Sequence, residues 1–186
     1  NKKINSVSDN FLLINKLKKI LTSRNIMETI TWSFLDKSVN DDFNQFDKSI
    51  IIENPISSDL NCLRSSLIPN LLNVIKKNNK KDIKNISIFE LGPVFFGNEP
   101  GDQSDVLTVI RSGFKYEKSW IEKNREFDLF DIKADLISCL KTIGFNHHIF
   151  KQKNENVGYF HPGKSGCFYL GHDKIADLGE IHPNIL

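Results

Sequence analysis

The stretch NISIFELGPVFF, residues 85–96, carries the strongest strand signal in this chain of 186 residues. β-Branched and aromatic residues dominate it, and such residues favour a pleated strand. The stretch DVLTVIRSGF, residues 105–114, has the same character and follows a loop that contains Asn98, Pro100 and Gly101. Together the two stretches predict an antiparallel hairpin with a long connection.

A helix and two short strands are predicted before this hairpin. The helix begins at Ser8 or Asp9, whose side-chain oxygen can cap it, and Arg24 closes it. Strands follow at residues 28–35 (ETITWSFL) and 48–53 (KSIIIE). The apolar residues that give the helical spacing are Leu13, Leu17, Ile20 and Leu21.

Asn54 and Pro55 stop the second of these strands, because Pro55 has no N–H for a ladder bond. The next helix is predicted over residues 65–78, and Pro69 falls near its first turn, where a missing N–H costs least. The apolar side of this helix consists of Leu67, Leu71, Leu72 and Ile75.

A last helix is predicted over residues 128–144, with Gly144 as its C-cap. Its core candidates are Phe130, Leu136, Leu140 and Ile143. Three short strands follow, HHIFK, SGCFYLG and KIADLGEIH. The strands cluster and do not alternate strictly with helices, which predicts an α+β fold whose mostly antiparallel sheet is flanked by helices.

The composition, 39% hydrophobic and 26% charged, is that of an ordinary globular protein of one domain. A net charge of +2 is too small to indicate nucleic-acid binding. Cys62, Cys139 and Cys167 are far apart in apolar contexts, which predicts buried free thiols and a cytoplasmic protein. No apolar run reaches the length of a membrane helix, so no membrane partner is expected.

Arginine is scarce, because Arg24, Arg64, Arg111 and Arg125 are the only ones in the chain. Carboxylates in apolar strands, such as Glu53, Glu90 and Glu180, are costly to bury unless they are paired. We therefore predict a bidentate pair between Arg64 and either Glu90 or Glu180, which would clamp a strand–helix junction. This structural role is favoured over a catalytic arginine.

Other kinds of site are disfavoured by spacing. The five histidines, among them the adjacent pair His147-His148, lack the HxxxH spacing of a zinc helix, so no metal is expected. Ser165 in HPGKSG lacks a GxSxG context and an orienting partner for a catalytic triad, and the spacing of a phosphate-binding P-loop is not met. No catalytic residue is predicted.

Six motifs in order give the chain its resemblance to a known family. They are ETITWSF, NPIS with LRSSLIPNLL, IFELGPVF, EFDLFDIKADLISCL, YFHPGKSG and DLGEIHPNIL. Together they resemble the catalytic-like domain of the beta chain of bacterial phenylalanine–tRNA ligase, a relative of the class II synthetase core. Ala134 and Gly166 depart from the family pattern, both by exchanges among small residues.

The resemblance implies one catalytic-like domain over residues 1–186, cut from a longer chain and truncated at its C-terminus. It also implies a non-catalytic role, because class II enzymes hold ATP with arginines and IFELGPVF has none. The alpha subunit would carry out the ATP- and magnesium-dependent reaction within an alpha2beta2 heterotetramer that binds tRNA(Phe). No cofactor is expected on this chain.

The residues that carry the motifs are expected to have structural roles, and the first helix is expected to offer Phe11 and Ile14 to a neighbouring subunit. The structural positions are Asn54, Pro55, Arg64, Pro69, Phe89, Glu90, Gly92, Phe95, His161, Pro162, Gly163, Gly179, Glu180, His182 and Pro183. Two alternatives stay open. One is a free-standing synthetase-like enzyme that uses Glu90 and His182, and the other is an RNA-binding module that uses Lys76, Lys77, Lys80 and Lys81.

Overall fold

The computed structural model describes residues 8–46, 48–116, 120, 124–155 and 157–185, apart from the side chain of His147. Its helices are α1 (Asp9–Ser23), α2 (Lys37–Asp41), α3 (Ile68–Asn79) and α4 (Leu129–Thr142). Its strands are β1 (Met27–Glu28), β2 (Phe34–Leu35), β3 (Cys62–Leu63), β4 (Ile86–Phe95), β5 (Gln103–Ser112), β6 (Phe150–Lys153), β7 (Phe160–Leu170) and β8 (Asp173–Ile181). Short 3-10 turns cover Ser58–Leu60, His147–Ile149 and Pro183–Ile185.

The strands form two three-stranded sheets and one small pair. The first sheet has the order β1-β4-β5, in which β1 is parallel to β4 and β4 is antiparallel to β5. The C-terminal sheet has the antiparallel order β6-β7-β8, and β2 pairs with β3. The predicted hairpin and the α+β class are confirmed.

Helices pack on both faces of the first sheet, because successive side chains of a strand point to opposite faces. On one face Phe89 of β4 packs with Leu21 of α1 and Cys139 of α4. On the other face Ile86 and Ile88 of β4 pack with residues of α3, namely Leu71 and Ile75. Near the C-terminal sheet, Phe43, Tyr159 and Phe160 form a further cluster with Ile181 and Ile185.

The predicted helix ends are largely confirmed. Ser8 caps α1 by accepting from the Phe11 N–H at 3.3 Å, and Arg24 is the C-cap. Pro69 lies in the first turn of α3. Gly144 follows α4 with φ +97°, a left-handed conformation that glycine adopts without a steric penalty.

Two predicted strands are shorter than expected. Residues 28–35 do not form one strand, because the N–H and hydroxyl of Thr31 bond the Glu90 carboxylate instead of a ladder partner. Residues 48–53 do not form a regular strand, and Ile51 makes only an isolated bridge to Cys62. Ile51 is 53% exposed, so little apolar burial favours a longer pairing there.

Three further predictions are wrong in detail. The helix predicted from residue 65 begins at Ile68, because the N–H and hydroxyl of Ser65 are held by the Asn40 side chain. Phe130 is 74% exposed and is not in the core, because nine residues of helix place it about 180° from buried Cys139. His147 and His148 begin a 3-10 turn, not a strand.

The three cysteines are buried free thiols, as predicted. Burial, with a smaller effect of the nearby Asp135 carboxylate, raises the pKa of Cys139 to about 11. None of the helices in the described residues is long and apolar enough to cross a membrane.

Candidate functional site

A buried ion pair lies where β4 meets the segments on either side of it. Arg64 follows β3 and Glu90 lies in the middle of β4, and each residue is 2% exposed. The Nη1 of Arg64 donates to the Oε1 of Glu90 at 2.7 Å. The contact predicted between these residues is therefore confirmed, and the alternative partner, Glu180, instead accepts from Lys164 at 2.7 Å.

The geometry of this pair differs from the predicted bidentate fork. The Nε of Arg64 donates to the Pro93 carbonyl at 2.8 Å, so only Nη1 reaches Glu90. Nη1 also donates to the Thr31 hydroxyl at 3.1 Å and to the Trp32 carbonyl at 3.4 Å. The guanidinium thus donates to two chain segments, residues 31–32 and β4, and no prediction from sequence could have named the backbone acceptors.

The second carboxylate oxygen of Glu90 completes the cluster. The Thr31 hydroxyl donates to Oε2 at 2.7 Å, and the Thr31 N–H donates to Oε1 at 3.2 Å. Gly92 leaves room for the guanidinium, because a Cβ there would lie 2.8 Å from the Nη2 of Arg64. We call Arg64, Glu90, Thr31 and Gly92 the Arg64 cluster. Every charged oxygen in it has a donor, which is what burial of an ion pair requires.

A second buried carboxylate, Asp135, was missed by the sequence analysis. It is 1% exposed on α4 and binds two arginines from other elements. Arg111 donates to it from Nε at 2.7 Å and from Nη2 at 3.1 Å, and Arg24 donates from Nε at 2.5 Å. The available signal was an aspartate four residues before Cys139, on the apolar stripe of a helix, in a chain with few arginines.

All four arginines of the chain are therefore paired with carboxylates. Arg125, the last, donates to Asp131 from Nη1 at 2.7 Å and from Nη2 at 2.8 Å. This guanidinium holds the pKa of Asp131 well below its usual range. Asp131 also accepts from the Asp128 N–H, which closes the capping box of α4. The arrangement fixes helices and strands to each other.

The remaining motif residues lie in three separate places. Asn54 and Pro55 are exposed in a turn. In the C-terminal sheet, the rings of His161 and His182 stack with centroids 6.1 Å apart, and the Nδ1 of each accepts an N–H two residues on, from Gly163 and Asn184. Also in or next to this sheet, Pro162 is exposed, Gly179 packs under the Phe160 ring, and Pro183 opens the final 3-10 turn. On β4, Phe89 and Phe95 lie on either side of the Arg64 cluster.

Exposed apolar side chains lie on α1 and on the segment after it. Phe11 is 55% exposed, while Ile14 is only partly exposed. Ile30 and Trp32, which sequence reasoning did not single out, are 87% and 64% exposed. No cluster of three or more metal-ligating side chains is present in the described residues.

The chain is similar to known proteins over almost its whole length. Residues 2–186 match the family described as the phenylalanyl tRNA synthetase beta chain CLM domain. The chain is 36% identical over 170 residues to the phenylalanine–tRNA ligase beta subunit of Rhodospirillum rubrum, covering 91% of this chain and 21% of that one. It is 38% identical to the corresponding subunit of Paramagnetospirillum magneticum, with the same coverage. It thus spans about a fifth of the length of these relatives.

A solved structure supports the fold independently. The pyrrolysyl tRNA synthetase of Desulfitobacterium hafniense superposes with a TM-score of 0.68 at 17% identity, covering 94% of this chain and 59% of that one. The fold is therefore that of the class II synthetase core. With the family match over residues 2–186, these findings show that the chain belongs to the phenylalanyl-tRNA synthetase beta chain CLM domain family.

Proposed function

We propose that this chain is a structural, non-catalytic domain of a phenylalanine–tRNA ligase beta subunit. It supports the alpha subunit in the ATP-dependent attachment of phenylalanine to tRNA(Phe). The observation that carries this proposal is the pairing of all four arginines with carboxylates of the same chain. Family membership supports the assignment to the beta subunit.

Nucleotide chemistry depends on cations that are free to hold phosphate oxygens. Arginine is the usual residue for this task, because its planar fork matches phosphate geometry. Here Arg64 and Arg111 are 3% and 9% exposed in their side chains and already bind Glu90 and Asp135. Turning Arg64 toward a nucleotide would leave Glu90 buried without a cationic partner, which is strongly unfavourable. Turning Arg111 away would remove two of the three arginine hydrogen bonds to buried Asp135. The pairs thus suit a scaffold better than an ATP site.

The partner surface is proposed on α1. Phe11 is more than half exposed on the helix, and exposed apolar groups of this kind mark protein contacts. We assign this surface to the alpha subunit within an alpha2beta2 enzyme in the cytoplasm. ATP, magnesium and tRNA(Phe) are then requirements of the whole enzyme. This chain contributes a structural domain on which the alpha subunit assembles.

The test is phenylalanine-dependent pyrophosphate exchange with ATP. The alpha subunit combined with the complete beta subunit is expected to be active, and the beta subunit alone is expected to give no exchange. Exchange by the purified 186-residue chain without any alpha subunit would overturn the proposal.

A pair of variants separates assembly from chemistry. Phe11→Asp in the complete beta subunit is expected to reduce the fraction of assembled enzyme while leaving kcat per assembled enzyme unchanged. Ile51→Asp is the matched control, because Ile51 is similarly exposed, at 53%, but lies away from α1 in the sequence. Equal loss of assembly in both variants would argue against α1 as the contact.

A further inference from the structure

The end of α3 and the turn that joins it to β4 carry a dense positive charge. Five lysines and one aspartate, Asp82, lie within residues 73–85, which gives this stretch a net charge of +4, while the whole chain carries only +2. The five lysines are all exposed, and we call them the lysine turn: Lys76, Lys77, Lys80, Lys81 and Lys84. The rest of the chain is therefore slightly acidic, and the small net charge of the whole conceals a local basic patch.

The lysine turn lacks the carboxylate partners that lysines have elsewhere in the structure. Six other lysines form ion pairs, namely Lys18, Lys37, Lys115, Lys153, Lys164 and Lys174. No member of the lysine turn forms an ion pair with another described residue. Its charges are therefore not neutralised by the part of the chain that the structure describes.

The stability of α3 does not account for this arrangement. The Lys80 N–H donates to the Lys76 carbonyl at 3.3 Å, so the two lysines are one helical turn apart, a spacing at which like charges repel. The helix dipole favours cations in the last turn, but Lys81 and Lys84 lie beyond the C-cap. A cluster that does not benefit its own helix indicates a role in binding.

The backbone that carries the lysine turn is fixed by hydrogen bonds. The Asn78 carbonyl accepts from the Lys81 N–H at 2.8 Å and from the Ile83 N–H at 3.2 Å. The Asn85 side chain accepts from the Phe114 N–H at 2.9 Å, which ties the end of the turn to the segment after β5. Since the backbone is already ordered, a ligand has only to order the lysine side chains.

We propose that the lysine turn binds the phosphate backbone of RNA, and that in the complete enzyme this RNA is tRNA(Phe). A lysine ammonium is a compact charge on a flexible stem, so several of them adapt to a row of phosphates without a fixed geometry. Each phosphate they neutralise releases condensed counterions, which favours binding. The exposed amides of Asn73 and Asn79 supply further donors for phosphate and sugar oxygens beside the lysines. This inference rests on the proposed function, which makes tRNA(Phe) a substrate.

Other partners fit the composition of this surface less well. Protein interfaces are depleted in lysine and enriched in aromatic residues, whereas Ile83, 50% exposed, is the single exposed apolar side chain of residues 73–85. A membrane-binding surface likewise needs several apolar side chains to insert beside its basic ones. A pocket for one small anion would enclose its ligand, but all five lysines are exposed. An extended polyanion matches the surface best.

The test measures tRNA(Phe) binding by the complete beta subunit assembled with the alpha subunit. The variant Lys80→Gln/Lys81→Gln/Lys84→Gln removes three charges, and glutamine keeps a similar helix propensity. At about 100 mM salt its Kd for tRNA(Phe) should rise by on the order of 10-fold or more. The slope of log K against log salt should become shallower by about 2–3, because each lost phosphate contact removes about 0.9.

The matched control is Lys48→Gln/Lys141→Gln/Lys151→Gln. It also removes three exposed lysines, and these lie in other parts of the sequence and form no ion pair with a described residue. Its Kd and salt slope should stay close to those of the unaltered enzyme. Phenylalanine-dependent pyrophosphate exchange, a reaction without RNA, should be equal in all three enzymes.

The possible outcomes separate this inference from the proposed function. Equal tRNA(Phe) binding and equal salt slopes in the two triple variants, with exchange intact, would overturn the RNA contact alone. Loss of assembly in the lysine-turn variant, with unchanged tRNA(Phe) binding by the assembled fraction, would assign the surface to a protein partner and also overturn it. An unaltered enzyme that neither exchanges pyrophosphate nor binds tRNA(Phe) would refute both the contact and the proposed function.

Discussion

The first sheet and the C-terminal sheet both carry ion pairs, but the two regions bury them differently. The side chains of Glu90 in the first sheet and of its partner Arg64, which follows β3, are each 3% exposed. Those of Lys164 and Glu180 in the C-terminal sheet are 55% and 42% exposed. A buried pair that loses one partner leaves an unsolvated charge, whereas an exposed pair regains water. Similar distances, both 2.7 Å, therefore carry different energetic weight.

The largest expected effect comes from breaking the buried pair on one side only. Arg64→Met leaves Glu90 with only Thr31 as a donor in the Arg64 cluster. The free energy of unfolding should fall by about 3–5 kcal/mol, measured by urea denaturation. A loss below about 1 kcal/mol would show that the Arg64 cluster is no different from a surface pair.

A double-mutant cycle sharpens this result. Glu90→Gln alone leaves the Arg64 charge buried beside neutral acceptors, and the double variant Arg64→Met/Glu90→Gln removes both charges. The double variant should therefore be more stable than the sum of the single losses predicts, by about 1–3 kcal/mol. Additive losses would contradict direct coupling between the two side chains.

A methyl group at Gly92 tests how tightly the Arg64 cluster is packed. The added Cβ would approach Nη2 of Arg64 to 2.8 Å, and the guanidinium is held by four hydrogen bonds and cannot easily move. Gly92→Ala should cost about 1–3 kcal/mol of unfolding free energy. The matched control is Gly163→Ala in the C-terminal sheet, where the nearest atom lies 3.6 Å away and the stability should barely change. Equal losses would mean that the backbone preference of a strand position, not packing against Arg64, sets the cost.

The contrast between the two regions also explains what the sequence could predict. Scarcity and apolar neighbours singled out Arg64, and the cost of a buried acid pointed to Glu90, so the contact followed from chemistry local to each residue. The strand hairpin followed from two long β-branched stretches. These signals are strong because a single short segment carries each of them.

Other features depend on residues distant in sequence and were missed. Asp135 is recognised as buried only when Arg24 and Arg111 are placed around it, 111 and 24 residues away. The stretch 28–35 has strand-like composition, but a tertiary contact, Thr31 with Glu90, replaces its ladder bonds.

The ion pair of Arg125 and Asp131 is intermediate in burial between the Arg64–Glu90 and Lys164–Glu180 pairs, with side chains 43% and 11% exposed. Hydrogen bonds from the guanidinium lower the pKa of Asp131, so the pair stabilises the fold above the unfolded pKa of about 3.9 and loses that effect as pH falls through the folded value. Arg125→Gln should lower the free energy of unfolding at pH 7 and have a smaller effect at pH 3. Urea denaturation at both pH values checks this. A loss that stays the same or grows on acidification would rule out the pair as its source.

The smallest effect is expected for the exposed pair of the C-terminal sheet. Lys164 donates to both carboxylate oxygens of Glu180, at 2.9 and 2.7 Å, which looks as strong as the buried contact of Arg64. Water solvates both groups once the pair is broken, and a flexible lysine regains rotamer freedom. Lys164→Met should therefore change the unfolding free energy by less than about 1 kcal/mol, and added salt should reduce even that difference. Urea denaturation of Lys164→Met beside Arg64→Met, at low and high salt, makes the comparison. A loss of about 3 kcal/mol or more at Lys164 would show that burial does not separate the two sheets energetically.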